Sequence, residues 1–474
     1  MEEITHAIVT SYRAMYTPGD IRYSLISKNG IYNIISDRRI ELYSVISASV
    51  DENLRAQDIV IIQNGDKQMA VEIANMHRAK INIDNNITAL IKRHEKKPYW
   101  SITKEMISEM REQAAVLINA IINGSPILVR FHGDGDGACA ALSLYMAIRE
   151  ICSNFNSDAP NIQWVLNKGI DYDMELLYSD ASFFSMINSN ERPILFITDF
   201  GSSNTSNEAI SKATESYDIL WHDHHPIPEN FIGKKLKHYL NPLTHAGSAD
   251  YTAGLLTSIF AELLGGIDTT NIREAALISD FSSYADMNNH DAVKIAHVID
   301  FITGIKSYVN YLDGPITPKY LSKIVENKEQ LEDIYKYGRS ILDDALSIGI
   351  GRSKEYNWDQ GINIHVFDFE YVAEKYSGYL LPGRYSSQLQ SAFEKLDKNS
   401  TITIVGFINS ISVRVSKAIS STLGLQEIIE RIKREESFVT AGGGHPEAGS
   451  IRFESMYKEQ AMRSLLKAII EYKK

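Results

Sequence analysis

Cysteine is scarce in this chain of 474 residues, which contains only Cys139 and Cys152. Both fall in one predicted helix, and side chains thirteen residues apart on a helix are too distant to form a disulfide. A chain with so few cysteines, and none that can pair, is typical of a reducing compartment. We therefore expect a cytoplasmic protein without disulfides.

Long hydrophobic runs are also lacking. No apolar segment approaches the roughly 20 residues that a membrane-spanning helix needs, and the acidic start Met1-Glu2-Glu3 is unlike a signal peptide. Low-complexity tracts are missing too, and a composition of 44% hydrophobic and 23% charged residues is typical of a soluble protein with ample core. We predict roughly two to four domains and no membrane partner.

An excess of basic charge is the third feature that the chain lacks. Its net charge is −12, which disfavours a nucleic-acid partner when it is taken over the whole chain. The flanks differ from the middle, because residues 1–98 carry 13 basic and 12 acidic side chains and residues 356–474 carry 15 and 14. The middle, 99–355, carries 20 basic and 34 acidic residues. The acidic excess therefore lies in the central part, where bound cations would offset some of it.

What the chain does contain is a stretch from Leu128 to Gly137 that reads LVRFHGDGDG. The apolar run that opens it predicts a buried strand, and a helix is predicted to follow from Ala138 to Ile151. Between the two, His132, Asp134 and Asp136 occupy alternate positions separated by glycines. Potential metal ligands are thereby placed at the carboxyl end of a strand, where open α/β sheets bind ligands.

Three later apolar segments also end in potential ligands, namely Asp199, the triplet Asp223-His224-His225, and Asp280. Mg²⁺ prefers oxygen ligands, whereas Mn²⁺ also accepts imidazole. A set of five carboxylates with several histidines suits two such ions better than a single zinc. The sequence therefore predicts a site for two Mn²⁺ or Mg²⁺ ions.

These motifs, in this order, resemble the four motifs of the DHH phosphoesterase family. The later stretch Gly442 to Gly449 (GGGHPEAG), together with Ser412-Val413-Arg414, resembles the accessory DHHA1 domain of its RecJ-like branch. The resemblance runs from about Ile127 to the end of the chain, and it is closest to the archaeal RecJ-like single-strand-specific nucleases. One position departs from the family pattern: many of its small-molecule enzymes have a ligand histidine where this chain has Arg130, and His132 stands two residues later.

The resemblance implies a role for each site residue. Asp199 would bridge the two ions. Asp134, with or without His132, would hold one ion, and Asp136, His224 and Asp280 would hold the other.

The same resemblance implies the residues that handle the substrate. His225 would face the phosphate or the leaving group as a donor or general acid, and Asp223 would orient an imidazole. In the accessory domain the phosphates of the substrate would be held by Arg414, Gly442, Gly443, Gly444 and His445.

We predict an α/β protein with four segments. Residues 1–98 would form a β-rich, OB-like domain, 99–315 the DHH catalytic domain with a parallel sheet, 316–355 connecting helices, and 356–474 a smaller α/β DHHA1 substrate-binding domain.

Within the first segment we expect two hairpins, one joining Ile21 to Ser27 with Ile31 to Ser36, the other joining Asp58 to Gln63 with Gln68 to Ala74 around Asn64-Gly65. The segment from Lys92 to Pro98 is predicted to be a charged linker. Side chains that could contact a single strand are Tyr23, Tyr32, Arg38 and Arg39, but core tyrosines and solvated arginines are the favoured explanation for each of them.

The predicted function is a single-strand-specific exonuclease for DNA or RNA that works by two-metal hydrolysis in repair, replication or RNA turnover. Its partners would be single-stranded nucleic acid and replication or helicase proteins, such as a GINS-like complex. Two alternatives stay open. One is a small-molecule or dinucleotide phosphodiesterase, and the other is a Cdc45-like replication scaffold with little catalysis.

Overall fold

The computed structural model describes residues 2–155, 161–304, 316–358, 361–373, 375–376, 382–397 and 400–472, without the side chains of Pro382 and His445. The described residues form two compact units: those within 2–303 and 316–332 form the first, and Gly304 with those within 333–472 forms the second. Of the predicted domain boundaries, 98 and 355 stay predictions, and the boundary at 315 falls outside the described residues.

The first unit opens with an antiparallel sheet of five consecutive strands. They are β1 (Glu2–Ala14), β2 (Ile21–Ile26), β3 (Ile31–Ser36), β4 (Val45–Val50) and β5 (Ala56–Gln63). Their order is β3-β2-β1-β4-β5, and a parallel bridge between Ile35 and Arg55 joins the two outer strands. The predicted antiparallel β-rich segment is confirmed. We call these five strands the amino-terminal barrel, and its OB-like identity stays a prediction.

The first predicted hairpin is present as β2 and β3, but the second is wrong. After Gln63 the chain turns at Gly65 and enters helix α1 (Lys67–Arg78) instead of a strand. The Asp66 carboxylate caps this helix by accepting from the backbone N of Met69 at 2.8 Å. Ala70, Ile73, Ala74 and His77 lie buried at helical spacing, so an amphipathic helix buries more of the segment than a strand would.

The structure also corrects the predicted linker and decides between the two interpretations of Tyr23. Arg93 and His94 belong to helix α2 (Ile83–His94), not to a linker, and both hydrogen-bond to Glu262 of the central part. Tyr23 has no exposed surface, and its hydroxyl donates to the carbonyl of Arg38 and accepts from the N of Ile40. It is therefore a core residue and cannot stack on a nucleic-acid base.

The rest of the first unit is built around a parallel sheet. Its strands are β6 (Ile127–His132), β7 (Ile162–Asn167), β9 (Ile194–Thr198), β10 (Asp218–His222) and β11 (Tyr239–Leu240), in the order β11-β10-β9-β6-β7, while the short β8 (Ile187–Ser189) pairs with β1. The helices are α3 (Trp100–Ile122), α4 (Gly135–Ser153), α5 (Met174–Ser185), α6 (Asn207–Ser216), α7 (Ala253–Gly265), α8 (Thr270–Ser279), α9 (His290–Gly304) and α10 (Pro318–Glu326). The predicted parallel α/β sheet is confirmed.

Helices cover both faces of this sheet. Val129 and Phe196 pack in one cluster with residues of α3, α4 and α7. Leu195 and Trp221 point the other way and pack with residues of α5 and α6. Strands that are buried on both faces explain the near-continuous apolar runs in the sequence.

The barrel adjoins the amino ends of the parallel strands. Asn161 lies just before β7, and its side-chain nitrogen Nδ2 donates to two serines of the barrel, Ser11 Oγ at 2.7 Å and Ser24 Oγ at 3.2 Å. It also donates to the carbonyl of Gly124 at 3.0 Å. The opposite, carboxyl ends of the strands carry the predicted ligands.

The second unit contains most of α11 (Lys328–Arg352) and a mixed sheet. Its strands are β12 (Lys354–Trp358), β13 (Ile362–Asp368), β14 (Thr401–Gly406), β15 (Ser410–Val415), β16 (Val439–His445) and β17 (Ala448–Phe453), in the order β12-β13-β14-β15-β17-β16. Its other helices are α12 (Glu370–Ala373), α13 (Pro382–Leu396), α14 (Lys417–Ser420), α15 (Leu425–Glu435) and α16 (Lys458–Ile470). Among the described helices of both units, none has the length and hydrophobicity to cross a membrane.

Candidate metal centre

His132 and Asp134 lie at the turn between β6 and α4. Asp134 is the N-cap of α4, and its carboxylate accepts from the backbone N of Gly137 at 3.0 Å. His132 Nδ1 lies 3.0 Å from Asp134 Oδ2 and 3.4 Å from Asp199 Oδ2. Burial alone would lower the pKa of His132, but these two carboxylates raise it to about 11. Without a metal ion, the His132 imidazole is thus the cation that pairs with these two carboxylates.

Asp136, in the first turn of α4, is 1% exposed. Both of its carboxylate oxygens accept from the backbone N of Gly254, at 3.1 and 3.2 Å, near the amino end of α7. Burial, followed by the neighbouring charges of Asp199 and Asp280, raises the pKa of Asp136 well above its ordinary value. A bound cation would relieve that repulsion.

Asp199 follows β9 and adopts a left-handed backbone conformation with φ of +68°, which aspartate tolerates better than most residues. Its backbone N donates to the carbonyl of His222 at 2.9 Å. Its carboxylate is buried, and within the described part of the chain Oδ2 has no hydrogen-bond donor. A buried carboxylate oxygen without a donor is costly to maintain, and a metal ion would satisfy it.

The two histidines of the triplet are fixed in different ways. His224 donates from Nδ1 to the carbonyl of Ala249 at 2.7 Å, which leaves Nε2 at 3.4 Å from Asp199 Oδ1 and 3.8 Å from Asp280 Oδ2. A backbone carbonyl on one ring nitrogen is the usual second contact of a metal-binding histidine. His225 Nδ1 instead lies 2.7 Å from Asp223 Oδ1, and its side chain is 46% exposed. His224 is thus oriented as a ligand, and His225 lies closer to solvent.

Asp223 is fully buried and holds the triplet together. Its Oδ1 accepts from the backbone N of His224 and of His225, and its Oδ2 accepts from Ser202 Oγ at 2.5 Å. Burial alone would raise the pKa of Asp223, but its contacts with His225, His224 and Ser202 hold it below the ordinary range. Burial alone would likewise lower the pKa of His225, and the Asp223 carboxylate raises it.

Two further side chains extend this network. Because ionised Asp223 can only accept, Ser202 must donate to it, and the hydroxyl of Tyr239 at 2.9 Å must then donate to Ser202. Asn241 donates in turn to the Tyr239 oxygen at 3.0 Å and to the carbonyl of His225 at 3.1 Å. Ser202, Tyr239 and Asn241 were not predicted as site residues, since no spacing or motif in the sequence distinguishes them.

Two conspicuous polar residues near the motifs are structural. His222 is buried, and its ring nitrogens contact Thr257 Oγ1 at 3.1 Å and Gln113 Oε1 at 2.9 Å, so neither is available to a metal. Arg130 occupies the position where the family pattern offers histidine. It forms a buried ion pair with Asp180, which also accepts from the hydroxyl of Tyr172 at 2.8 Å.

Ligand atoms gather into two groups, each within 4.8 Å: His132, Asp134 and Asp199, and then Asp199, His224 and His225. Both groups contain Asp199, and their carboxylate and imidazole donors fit Mn²⁺ or Mg²⁺. The second group differs from the ligand set that the resemblance implied for this ion. It includes His225, which was expected to act on the substrate, and it lacks Asp136 and Asp280. Asp280, just after α8, has a side chain 38% exposed and a pKa raised to about 6 by burial and neighbouring acids. The individual ligand roles stay predictions.

The predicted phosphate-binding residues lie in the second unit. Gly442, Gly443 and Gly444 belong to β16, an edge strand paired with β17. A side chain at Gly443 would meet no atom within 4 Å, so this part of the strand is open.

Arg414, on β15, donates to Ser387 Oγ at 2.9 Å and to Ser412 Oγ and the carbonyl of Gly383 at 3.0 Å. The side chain of His445 lies outside the described residues, so its predicted role stays a prediction.

Comparison with known proteins identifies one family domain in the chain. Residues 126–279 match the DHH family, N-terminal domain. An uncharacterised protein of Methanocaldococcus jannaschii, MJ1198, is 21% identical over 419 residues, which cover 78% of this chain and 54% of that protein. The chain therefore spans about half the length of this relative.

Two solved structures are similar. One, described as a member of the s1p family of ribosomal proteins, PF0399 DHH domain, has a TM-score of 0.67 and 21% identity, and the match covers 84% of this chain and 100% of that chain. The other, exonuclease RecJ bound to manganese, has a TM-score of 0.47 and 13% identity, with 77% and 95% covered. The family match and the shared fold together show that this chain carries a DHH-family domain at residues 126–279.

Proposed function

We propose that this protein is a metal-dependent phosphodiesterase whose two ions share Asp199. The observation that supports this most directly is the position of Asp199 in both groups of ligand atoms. Two further observations add to it: Oδ2 of Asp199 accepts no hydrogen bond among the described residues, and the pKa of Asp136 is raised by burial and neighbouring acids.

Two divalent ions, when bound, neutralise charge on the phosphate oxygens and activate water for attack. In the proposal Asp134, with His132, holds one ion, and His224 with Asp136 and Asp280 holds the other. The protein itself contributes rigidity, because Gly254 fixes Asp136 and Ala249 fixes His224 before any ion binds. Preformed ligands lose little freedom when the ions bind.

His225 is the proposed proton donor to the leaving oxygen. Its Nδ1 is held by Asp223, so Nε2 is the atom that can carry a proton to the substrate. The Asp223 carboxylate raises the pKa of His225, which favours the protonated imidazole that a general acid requires. Asp223 stays ionised and fixes the ring, in the manner of the aspartate of other Asp-His pairs.

The proposed substrate is a single strand of DNA or RNA, degraded stepwise from an end. The OB-like strand order of the amino-terminal barrel supports a polymer substrate, since such barrels commonly bind single strands. The proposed phosphate contacts in the second unit are the open edge strand at Gly443 and the Arg414 guanidinium. A scaffold without catalysis would have no reason to retain this ligand arrangement.

The test is digestion of end-labelled DNA and RNA by the purified full chain with Mn²⁺. The substrates are linear single strands of several lengths, a duplex, a circular single strand and a dinucleotide. Stepwise shortening of linear strands, with duplex and circle resistant, supports the proposal. Cutting of the circle contradicts end-dependent attack, and hydrolysis of the dinucleotide alone favours the small-molecule alternative.

The matched control for this assay is Asp218→Asn. Asp218 lies at the other end of the parallel sheet, where its carboxylate pairs with Arg192 at 2.8 Å. This variant removes an acid from the same domain without touching the proposed ligands, so its activity should equal that of the unmodified protein.

A further inference from the structure

A groove of about 550 Å³ lies beside the loop that joins β1 to β2. One wall comes from the end of β1 and this loop, and the other from α5 and β8. The side chains that matter here are Tyr12, Arg13, Met15, Tyr16, Phe183 and Met186. Tyr16 is completely exposed, and Met186 is more than half exposed. The fold thus leaves an aromatic ring and a flexible apolar side chain in water beside a concave surface.

The charge of this groove is as informative as its shape. Within the described part of the chain, the guanidinium of Arg13 makes no ion pair or side-chain hydrogen bond, and the described lining contains no carboxylate. A groove with two tyrosines and one unpaired arginine is complementary to a flat ring that carries a neighbouring negative charge. A nucleobase with its phosphate has that chemistry, because bases stack on aromatic rings and arginine binds phosphate.

The position of the loop in the barrel agrees with this ligand. OB-type barrels bind oligonucleotides on the face of strands 2 and 3 and through the loops between strands 1 and 2 and strands 4 and 5. Tyr16 lies in the first of these loops. Its ring is exposed and can stack on a base, whereas the ring of Tyr23 is buried and cannot. We propose that this groove binds a base and the adjoining phosphate of single-stranded nucleic acid. The inference rests on the proposed function and adds a second contact site to it.

The groove and the ligand cluster lie at opposite ends of the parallel sheet. β8, in the wall of the groove, pairs with β1 near the amino ends of the strands, whereas Asp199 follows the carboxyl end of β9. The five residues of β9 alone span about 13 Å, at roughly 3.3 Å per residue. A single-stranded nucleic acid must therefore be several nucleotides long to contact the groove and the ligand cluster at once. Short strands would reach the metal ligands without touching Tyr16.

This length dependence gives the experiment its design. The full chain, in EDTA to prevent cleavage, is titrated against fluorescein-labelled single strands of about 5 and about 25 nucleotides while anisotropy is recorded. Tyr16→Ala should weaken binding of the long strand about tenfold and leave the short strand unchanged, because one stacked base is lost. Tyr16→Phe keeps the ring and should bind the long strand like the unmodified protein.

Arg13→Ala tests the phosphate contact separately. It should make the plot of log affinity against log salt shallower by about 0.7 for the long strand, the value for one phosphate contact on a single strand. Tyr178→Ala is the matched control, since Tyr178 is also an exposed tyrosine on α5 but does not line the groove. Its affinity and its salt dependence should not change.

The outcomes separate this inference from the proposed function. Equal affinity of Tyr16→Ala and the unmodified protein for the long strand overturns the inference, even if both cleave short strands with Mn²⁺. Failure of the unmodified protein to cleave any strand overturns the proposed function, whatever Tyr16→Ala does to binding. If the groove instead receives a protein partner, the long strand binds all variants alike, and the inference is wrong.

Discussion

Ser202 Oγ lies 2.5 Å from Oδ2 of Asp223 and donates to it. Asp223 is fully buried, and its other oxygen, Oδ1, contacts Nδ1 of His225. The Ser202 hydroxyl is therefore linked to the proposed proton donor through two successive hydrogen bonds. We expect Ser202→Ala to lower kcat about tenfold with little change in KM, the usual scale for such supporting contacts. Steady-state kinetics on a short labelled strand measures both constants.

Tyr239→Phe should act in the same direction and more weakly, because Ser202 can still donate to Asp223 without the tyrosine hydroxyl. Ser203→Ala is the control: this neighbouring hydroxyl donates to Asp171 at 2.5 Å and not to the triplet. Equal activity of Ser202→Ala and Ser203→Ala would show that the hydroxyl does not position His225.

Asp199→Asn should lower the rate of hydrolysis by more than about a hundredfold. Loss of a contact that only supports a ligand costs about 10- to 100-fold, and loss of a ligand shared by both ions should cost more. Asparagine tolerates the left-handed backbone of this position, so the fold should be retained. Without metal the melting temperature of the variant should rise, since a buried negative charge beside Asp136 is removed.

Melting curves also measure metal binding, because an ion that binds only the folded protein stabilises it. Saturating Mn²⁺, at about 100 times its dissociation constant, should stabilise the unmodified protein by about 2.7 kcal/mol for each ion bound. Asp199→Asn should lose most of this gain, whereas Asp218→Asn should keep it. An equal gain in Asp199→Asn would exclude Asp199 as a shared ligand.

Several parts of this site could be predicted from sequence. Asp134, Asp199 and His224 come after apolar runs, and parallel strands bring their carboxyl ends to one edge of the sheet. The partners that fix these ligands could not be predicted. Ala249 and Gly254 bind His224 and Asp136 through backbone atoms, which every residue type has, so no side chain in the sequence marks these contacts.

The wrong hairpin has a related cause. Asn64-Gly65 is a strong turn signal, but a turn can lead into either a strand or a helix. The helical spacing from Ala70 to His77 decided the outcome, together with the Asp66 cap. The partner of Arg130, Asp180, lies fifty residues away, and only the folded chain brings them together.

Acid should weaken the fold through Glu262, which is buried among Arg93, His94 and Arg273. Burial alone would raise the pKa of Glu262, but His94 and Arg273 lower it from 4.5 to about 2. Since the folded-state pKa lies below the unfolded value, the stabilisation is complete above pH 4.5 and is lost as the pH falls toward 2.

The free energy of unfolding, from urea titrations at pH 7 and pH 3, measures this loss. The full contribution of Glu262 is about 3 kcal/mol. Glu262→Gln should be less stable at pH 7 and should show a flatter acid limb. Glu208→Gln removes an exposed acid that pairs with Lys212, so it should reproduce the unmodified profile. An unchanged acid limb in Glu262→Gln would assign the pH dependence to other groups.

Gly254→Ala should disturb the junction of α4, α7 and α8, where the proposed second ion binds. An added methyl carbon would lie 2.4 Å from the Cβ of Ala276 and 2.5 Å from Asp136 Oδ1, so a helix or the carboxylate must move. Overpacking of this kind costs about 1–3 kcal/mol. Moving Asp136 should also weaken Mn²⁺ binding, measured by calorimetry on the metal-free protein. Gly351→Ala, where an added carbon meets nothing within 4 Å, should leave both quantities unchanged or stabilise the helix slightly. If Gly254→Ala melts and binds Mn²⁺ like Gly351→Ala, Asp136 does not need the Gly254 contact to hold a metal.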